Sequence, residues 1–358
     1  MRRLVLGALL AGSLAGLAEA QPIAFDDLAG RPVSLKAPAS RIIALPIPAA
    51  PTLMALDRSP KRLLGMHPIV RSIARESLLA RIFPGIAQVE TNFVMPGATA
   101  FMPNVEAIAA TRPDLVLQRG ERGADIIGPL INAGLTTALV IYGDEEISRR
   151  NIAMLGAAIG ADARAEAIIG WRKAVAERLA PLRTPELRAK APRILFLSRS
   201  AGRFVATGEE SIMGYAISLA GGRNAADGLT GSKTASAEQM MIWDPDVILL
   251  NSAIPDLTPQ TVLDDPILSG TRAAKDRRVY KIPTGAYRWE PPTQENPFLW
   301  LWLAALLHET GSAIDLRHEL REGLRDLYGF AASESDLDHV LRLDVNATSR
   351  AYSRFARP

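Results

Sequence analysis

The chain contains no cysteine among its 358 residues. Disulfide bridges, thiolate metal sites and a cysteine nucleophile are therefore excluded. Histidine is scarce, with four residues and no His-Glu-x-x-His spacing, and no Gly-x-Ser-x-Gly follows the N-terminal segment. The sequence thus lacks the usual motifs of zinc hydrolases and serine hydrolases.

Charge of one sign is not concentrated anywhere in the chain. The net charge is +3, and lysine and arginine are scattered rather than grouped, although the sequence pI is about 9.2. Without a basic stripe, nucleic-acid binding has no support. The hydrophobic content of 48% is that of a globular protein. A chain of this length is sufficient for two domains of roughly 150 residues each.

The N-terminus has the pattern of an export signal. Arg2 and Arg3 precede the apolar run LVLGALLAGSLAGLA, and Ala18-Glu19-Ala20 supplies a small-x-small cleavage pattern. We predict a signal peptide over residues 1–20. A membrane anchor helix is the alternative, but the run is shorter than the roughly 20 residues that a span needs. Since no cysteine follows the cleavage site, we expect a periplasmic protein without a lipid anchor.

One pattern of residues occurs twice in the chain. Residues 104–118 read NVEAIAATRPDLVLQ and residues 236–250 read SAEQMMIWDPDVILL, with Glu106 matching Glu238. Each copy predicts a capped short helix with a carboxylate in its first turn, a break at Pro-Asp, and a buried strand. The spacing between the copies is close to one domain length. The repeat therefore predicts two similar α/β lobes rather than a solenoid.

Strand and helix patterns alternate along the chain, which predicts an α/β fold of two Rossmann-like lobes with parallel sheets. We place the N-terminal lobe at 21–146 and the C-terminal lobe at 183–358. Between them, 147–182 has helical apolar spacing and predicts one long connecting helix. The segment FLWLWLAALLHE (298–309) is predicted as a core helix because it is too short to span a bilayer. The amphipathic tail 315–343 is predicted as helix on the outside of the second lobe.

Several of these segments resemble a known family. The carriers are the two repeated motifs, the helix IAMLGAAIGADARAEAIIGWRKAVAERL, the stretch TGEESIMGYAISLAGGRNAADG, and the segments WEPPTQENPFLWLWLAALLHE and LREGLRDLYGFAASESDLDHVLRLD. Together they are similar to the periplasmic substrate-binding proteins of ABC importers for ferric siderophores, haem and cobalamin. These proteins have two lobes joined by one long helix.

The resemblance implies a monomeric binding protein that has no intrinsic cofactor and catalyses no reaction. It would capture a metal chelate, in first place an iron-siderophore complex, and deliver it to an ABC permease dimer in the inner membrane. Haem, cobalamin and a free divalent metal ion are the alternative ligands. The family motifs do not decide among these ligands.

Ligands of open parallel sheets bind beyond the carboxyl ends of the strands. This rule gives a list of candidate ligand-binding residues: His67, Arg71, Arg119 and Tyr142 in the first lobe, and Arg199, Asn251, Tyr287, Arg288 and Trp289 in the second. Arginine offers a rigid fork of donors that suits an anionic ligand, and the aromatic residues offer flat apolar faces. The alternatives are solvated or ion-paired arginines, and core packing for Tyr287 and Trp289.

A bare metal ion is a weaker interpretation. His67 could ligate a metal directly, with Met66, Met95 and Met102 nearby in sequence or in neighbouring loops. The four histidines have no paired spacing, and we predict no direct metal site.

Glu106 and Glu238 stand at equivalent positions of the two repeats. In the family that the chain resembles, glutamates at these positions dock against arginines of the two permease subunits. The resemblance therefore implies a docking role for both. The alternative is that each carboxylate only stabilises the first turn of its helix, by roughly 0.3–1 kcal/mol.

A periplasmic enzyme, such as a chelatase or hydrolase, is the rival class. The stretch GLTGSKT (228–234) imitates a phosphate-binding loop, but Ser232 separates Gly231 from Lys233 and breaks the required spacing. We predict a surface loop there and a protein that is not an enzyme.

Overall fold

The computed structural model describes residues 22–95, 102–308 and 314–357. The signal peptide predicted over 1–20 lies outside these residues. Within the described ranges, no helix combines the length and the apolar character that crossing a membrane requires.

Twelve strands are defined in the described ranges. They are β1 (Ile23–Asp26), β2 (Pro32–Leu35), β3 (Ile42–Ala44), β4 (Leu63–Met66), β5 (Leu115–Arg119), β6 (Thr137–Val140), β7 (Arg193–Ser200), β8 (Arg203–Thr207), β9 (Arg223–Asn224), β10 (Ser232–Thr234), β11 (Val247–Leu250) and β12 (Val279–Lys281).

The same ranges contain fifteen α-helices. They are α1 (Ala49–Asp57), α2 (Pro68–Glu76), α3 (Leu79–Ile82), α4 (Val105–Ala110), α5 (Ala124–Asn132), α6 (Glu145–Ile159), α7 (Asp162–Leu179), α8 (Pro185–Ala189), α9 (Ile212–Leu219), α10 (Ala237–Trp243), α11 (Pro259–Leu263), α12 (Arg272–Lys275), α13 (Asn296–Leu307), α14 (Leu316–Tyr328) and α15 (Glu334–Val340).

The first lobe is built on a parallel sheet with the strand order β4-β3-β5-β6. Its strands are apolar on both faces, as a sheet covered on both sides requires. Leu115 and Leu117 of β5 point into one hydrophobic cluster, and Val116 between them points into the other. The buried strand predicted at the end of the first repeat is confirmed as β5.

The second lobe departs from the predicted parallel sheet. Its order is β10-β8-β7-β11-β12, with β9 also paired to β7, and β8 and β10 run antiparallel to their neighbours. The cause is a tight hairpin after β7. Ala201 and Gly202 adopt positive φ values of 47° and 75°, which return the chain directly into β8. The sheet is therefore mixed.

The single connecting helix predicted over 147–182 is corrected to two helices, α6 and α7. Gly160, with φ of 68°, ends α6 in a left-handed cap that accommodates glycine without strain. The two helices then pack closely, since a Cβ on Gly156 would lie 2.5 Å from the Ala165 Cβ. The 18-residue α7, about 27 Å long, packs against α13 and is the element that passes between the lobes.

The C-terminal tail contacts both lobes rather than only the outside of the second. Asp336 of α15 forms an ion pair with Arg81 of the first lobe. The His339 Nε2 is hydrogen-bonded to the backbone oxygen of Glu76 at 3.2 Å. The tail, predicted as an outer layer, therefore covers one side of the junction between the lobes. The core helix predicted from 298 is confirmed as α13, which is buried over nearly its whole length.

A buried ion pair ties the two connecting helices, α6 and α7, to the segment that precedes α13. Arg172 of α7 is fully buried, and its Nε donates to the Glu145 Oε1 at 2.9 Å while a second guanidinium nitrogen donates to the Glu145 Oε2. The same side chain donates to the Thr293 carbonyl at 2.5 Å and the Asn296 Oδ1 at 3.2 Å. One guanidinium thus joins α6, α7 and the start of α13.

A second buried group, the Glu295 carboxyl, holds the loop 285–289. Its Oε1 accepts the Tyr287 N–H at 2.9 Å and the Tyr328 hydroxyl, and its Oε2 accepts the Trp289 Nε1–H at 2.9 Å. A Cβ on Gly285 would lie 2.1 Å from the Glu295 Oε2, so the loop can approach this closely only with glycine there. The loop is therefore folded around one side chain.

Replacing Glu145 by Gln should lower the free energy of unfolding by about 3–5 kcal/mol, because it leaves the Arg172 guanidinium buried without a carboxylate. Chemical denaturation measures this loss. Glu146→Gln is the matched control, since the Glu146 side chain is 64% exposed in its pair with Arg149 and should change stability by less than about 1 kcal/mol. Equal losses in the two variants would contradict the assigned role of the buried pair.

Stability should also depend on pH through Glu295. Burial raises the pKa of Glu295 to about 8, against the opposing hydrogen bonds from Tyr328 and Trp289. The folded chain keeps a proton that the unfolded chain releases at a pH of about 4.3. Holding this proton stabilises the folded chain. The stabilisation is fully present below the unfolded pKa of about 4.3 and is lost as pH rises through the folded pKa of about 8. The limiting slope of the free energy of unfolding is about 1.4 kcal/mol per pH unit.

Urea denaturation from pH 5 to pH 8.5 measures this slope. Glu295→Gln is the control, because the amide does not titrate while the four histidines and the other carboxyls remain. We expect a flatter profile in the variant. Parallel profiles would show that Glu295 does not titrate in this window.

Candidate functional site

The candidate site lies where segments of the two lobes come together. There a pocket of about 120 Å³, lined by both apolar and charged residues, lies between α2 of the first lobe and three loop segments of the second lobe. Its lining consists of Ile69, Ser72, Ile73, Glu76, Ser252, Ala253, Thr284, Arg288 and Arg342. Of the nine candidate ligand-binding residues, Arg288 lines this pocket.

Arg288, predicted from the sequence, lies in this pocket with its side chain 20% exposed. Its Nε is 3.6 Å from the Glu290 Oε1. The same Glu290 oxygen accepts the Ser252 N–H at 2.9 Å and the Ser252 hydroxyl at 2.7 Å. The Glu290 carboxylate thus holds both Ser252 and Arg288 in the pocket wall.

Arg342 is one of the pocket residues that the sequence does not predict. Its guanidinium donates to the Ser252 carbonyl at 3.2 Å and the Thr284 hydroxyl at 3.0 Å, and no carboxylate of a described residue lies within 4.0 Å. Burial lowers the pKa of Arg342, while the charges of Glu290 and Glu76 act in the opposite direction. No local pattern separates Arg342 from the other arginines of the charged tail, because its partners are at least 58 residues away.

Arg119 and Tyr142, predicted separately, are brought together in the first lobe. The guanidinium carbon of Arg119 lies 3.9 Å from the centre of the Tyr142 ring, and Arg119 also pairs with Glu121. Burial raises the pKa of Tyr142, as does the nearby Tyr287 of the second lobe. These groups form a stacked cation and aromatic pair where the lobes meet.

Trp289 and Tyr287 do not present open faces to a ligand. Both are fully buried. Trp289 packs against Phe298, with ring centres 5.6 Å apart, and donates its N–H to Glu295. Burial raises the pKa of Tyr287, whose hydroxyl has no hydrogen-bond partner among the described residues. The prediction of Trp289 in the cleft is therefore wrong, because Glu295 draws the indole into the core.

Three further candidates lie outside the pocket lining. Arg199 pairs with Asp256 at 2.6 Å. Arg71 donates to the Val89 carbonyl on another side of α2. The Asn251 Oδ1 accepts the backbone N–H two residues later at 2.9 Å, which shapes the loop that lines the pocket. Asn251 therefore supports the wall of the pocket rather than forming it.

His67 is used as a helix cap. It is buried, and its Nδ1 accepts the Ile69 N–H at 3.2 Å at the start of α2. No group of three or more histidines or carboxylates that could hold a metal ion occurs in the described ranges. The interpretation of His67 as a direct metal ligand gains no support from this geometry.

Glu106 and Glu238 are exposed in the first turns of α4 and α10. Asn104 and Ser236 cap these helices through their side-chain oxygens, as the repeat predicts. Each helix precedes a strand of its lobe, β5 after α4 and β11 after α10. The two carboxylates are therefore exposed at equivalent positions, one on each lobe.

The stretch that imitates a phosphate-binding loop does not form one. Ser232, Lys233 and Thr234 make up β10, an exposed strand at the edge of the second sheet that pairs with β8. A phosphate-binding loop places its Lys and Ser or Thr at the start of a helix. This geometry removes the main sequence hint of a nucleotide-dependent enzyme.

Comparisons with known proteins agree with this architecture. A family model described as periplasmic binding protein matches residues 97–286, just over half of the chain. The molybdate-binding protein MolA of Haemophilus influenzae is 26% identical over 256 residues, which are 64% of this chain and 70% of MolA.

Solved structures show the same fold over most of the chain. A periplasmic solute-binding protein from Veillonella parvula has a TM-score of 0.81 and 27% identity, covering 91% of this chain and 99% of that one. MolA bound to molybdate has a TM-score of 0.75 at 18% identity, with coverage of 87% and 99%. CeuE of Helicobacter pylori in a Ni-His complex has a TM-score of 0.70 at 17% identity, with coverage of 89% and 98%.

The two-lobed fold, the pocket between the lobes and the matched family model lead to one assignment. The chain belongs to the periplasmic binding protein family and is a substrate-binding component of an ABC transporter.

Proposed function

We propose that this protein captures a small oxyanion in the pocket between its lobes and delivers it to the permease of an ABC importer. The observation that carries the proposal is the Arg342 guanidinium, which lies beside Arg288 and has no carboxylate partner within 4.0 Å among the described residues. A guanidinium is always charged and presents a planar fork of donors that matches an oxyanion. The Thr284 hydroxyl, in the same wall, accepts from Arg342 and keeps its own proton as a further donor.

The size of the pocket supports a small ligand. Sites for drug-sized molecules have volumes of roughly 300–1,000 Å³, whereas this pocket has about 120 Å³. Haem, cobalamin and a ferric siderophore are too large for it, but a tetrahedral oxyanion fits. MolA, a relative of this chain, binds molybdate according to its name and solved structure. Molybdate is therefore the first ligand to test.

A metal chelate, the class predicted from the sequence, is the second candidate. The stacked pair of Arg119 and Tyr142 favours it, because a cation lying on an aromatic ring suits a flat anionic chelating group. An iron-siderophore complex would require a wider separation of α2 from the second lobe than this structure has. The two candidates differ in size, so one titration series distinguishes them.

Delivery requires a docking surface beside the pocket. The exposed carboxylates of Glu106 and Glu238 lie one on each lobe, at equivalent positions of the two repeats. We propose that they contact basic residues of the two permease subunits, as the family resemblance implies. An export signal at 1–20 is consistent with a periplasmic site of action, and the proposal includes no chemical step.

Isothermal titration calorimetry with molybdate tests the ligand. We expect saturable binding by the protein and a loss of about 10–100-fold in affinity in Arg342→Gln, because hydrogen bonds to a charged group contribute about 1.5–3 kcal/mol. Arg199→Gln is the matched control, since Arg199 pairs with Asp256 outside the pocket lining. Its affinity should remain close to that of the unchanged protein.

The same titration with a Ni-His complex, a ferric siderophore, haem and cobalamin covers the second candidate. Saturable binding of one of these, with no response to molybdate, would replace the oxyanion by a chelate. Unaltered molybdate affinity in Arg342→Gln would contradict the assigned pocket.

Reversing the docking charges should separate capture from delivery. In the double variant Glu106→Lys/Glu238→Lys we expect unchanged affinity for molybdate. Cells that express the double variant in place of the unaltered protein should take up molybdate much more slowly. Glu177→Lys on α7, which is also exposed, is the single-charge control and should leave uptake unaffected. Full uptake by the double variant would show that these carboxylates are not needed for docking.

A further inference from the structure

Glu76 is a carboxylate that lines the pocket but makes no contact that would stabilise the fold. It is the last residue of α2 and lines the pocket from the first lobe. Its side chain makes no hydrogen bond or ion pair with any residue that the structure describes. Its backbone oxygen is fixed to the tail by His339, so this end of the helix is held in place.

A negative charge is unfavourable at the C-terminal end of a helix, where the exposed carbonyl groups are already negative. Arg75, the preceding residue, has the sign that suits this position. Glu76 therefore does not stabilise its own helix.

Arg342 lines the same pocket from the second lobe and likewise lacks an ion-pair partner within 4.0 Å in the described ranges. The charge of Glu290 acts most strongly on the pKa of Arg342, followed by those of Glu76 and Asp344. The remaining charged groups at the pocket are Arg288 and Glu290, which lie 3.6 Å apart, and Glu290 is further engaged by Ser252. Glu76 is thus the negative charge of the pocket that no side chain engages directly.

We infer that Glu76 competes with an anionic ligand for Arg342 and so limits how tightly the pocket holds its cargo. The inference rests on the proposed capture of an oxyanion. In the empty pocket Glu76 partly neutralises Arg342. A bound oxyanion replaces this interaction and lies close to a like charge, which weakens binding and favours release at the permease.

The test is the affinity for molybdate in Glu76→Gln, measured by isothermal titration calorimetry at one fixed low salt concentration. Removing the charge while keeping the shape should tighten binding by about 10-fold. Two controls are matched to this change. Glu76→Asp keeps the charge and should remain close to the unchanged protein. Glu177→Gln alters the net charge equally, on an exposed part of α7, and should also leave affinity unchanged.

Each outcome decides a different point. Tighter binding in Glu76→Gln alone supports the inference. Equal affinity of Glu76→Gln and the unchanged protein for molybdate overturns the inference but leaves the proposed function standing. Equal tightening in Glu177→Gln has the same consequence, because it would show an effect of net charge only. Weaker binding in Glu76→Gln would make Glu76 a ligand contact and also overturn it. Absence of binding by every protein would overturn the proposed oxyanion, and the inference with it.

Discussion

The contact between Glu295 and the loop 285–289 determines how the two lobes meet. Glu295 holds the loop from the second lobe, while the first lobe bonds the same stretch of backbone through the Leu78 N–H to the Gly285 oxygen at 3.1 Å and the Ser77 hydroxyl to the Ala286 oxygen at 2.8 Å. The loop therefore belongs structurally to both lobes. Arg288 lies within it, so the position of a pocket residue depends on a buried side chain outside the pocket lining.

The connector strengthens this arrangement. Arg172 joins α6 and α7 to the Thr293 carbonyl, a few residues beyond the loop 285–289. Any large rotation of one lobe against the other would have to break this buried ion pair and the backbone bonds of the loop together. Buried charges that lose a partner are costly. We therefore expect the ligand to change the separation of the lobes only slightly.

Much of this architecture is readable from sequence because it depends on local patterns. The repeated motifs, the caps at Asn104 and Ser236, and the apolar helix α13 all follow from residue spacing within a dozen positions. The position of Trp289 was not readable, since its apolar ring is equally compatible with a cleft and a core. The deciding contact is with Glu295, and only the folded loop shows it. Arg342 was missed because its contacts join segments distant in sequence.

The failure to find Arg342 also shows why counting arginines at strand ends is a poor measure of anion affinity. Arg119 and Arg199 were predicted on that basis, but each is close to a carboxylate, of Glu121 and Asp256 respectively. A ligand anion must compete with a partner that is tethered nearby and therefore present at a high effective concentration. A guanidinium held by a carbonyl and a hydroxyl has no such competitor in direct contact. The useful criterion for an anion site is thus the pairing state of each arginine, which depends on tertiary structure.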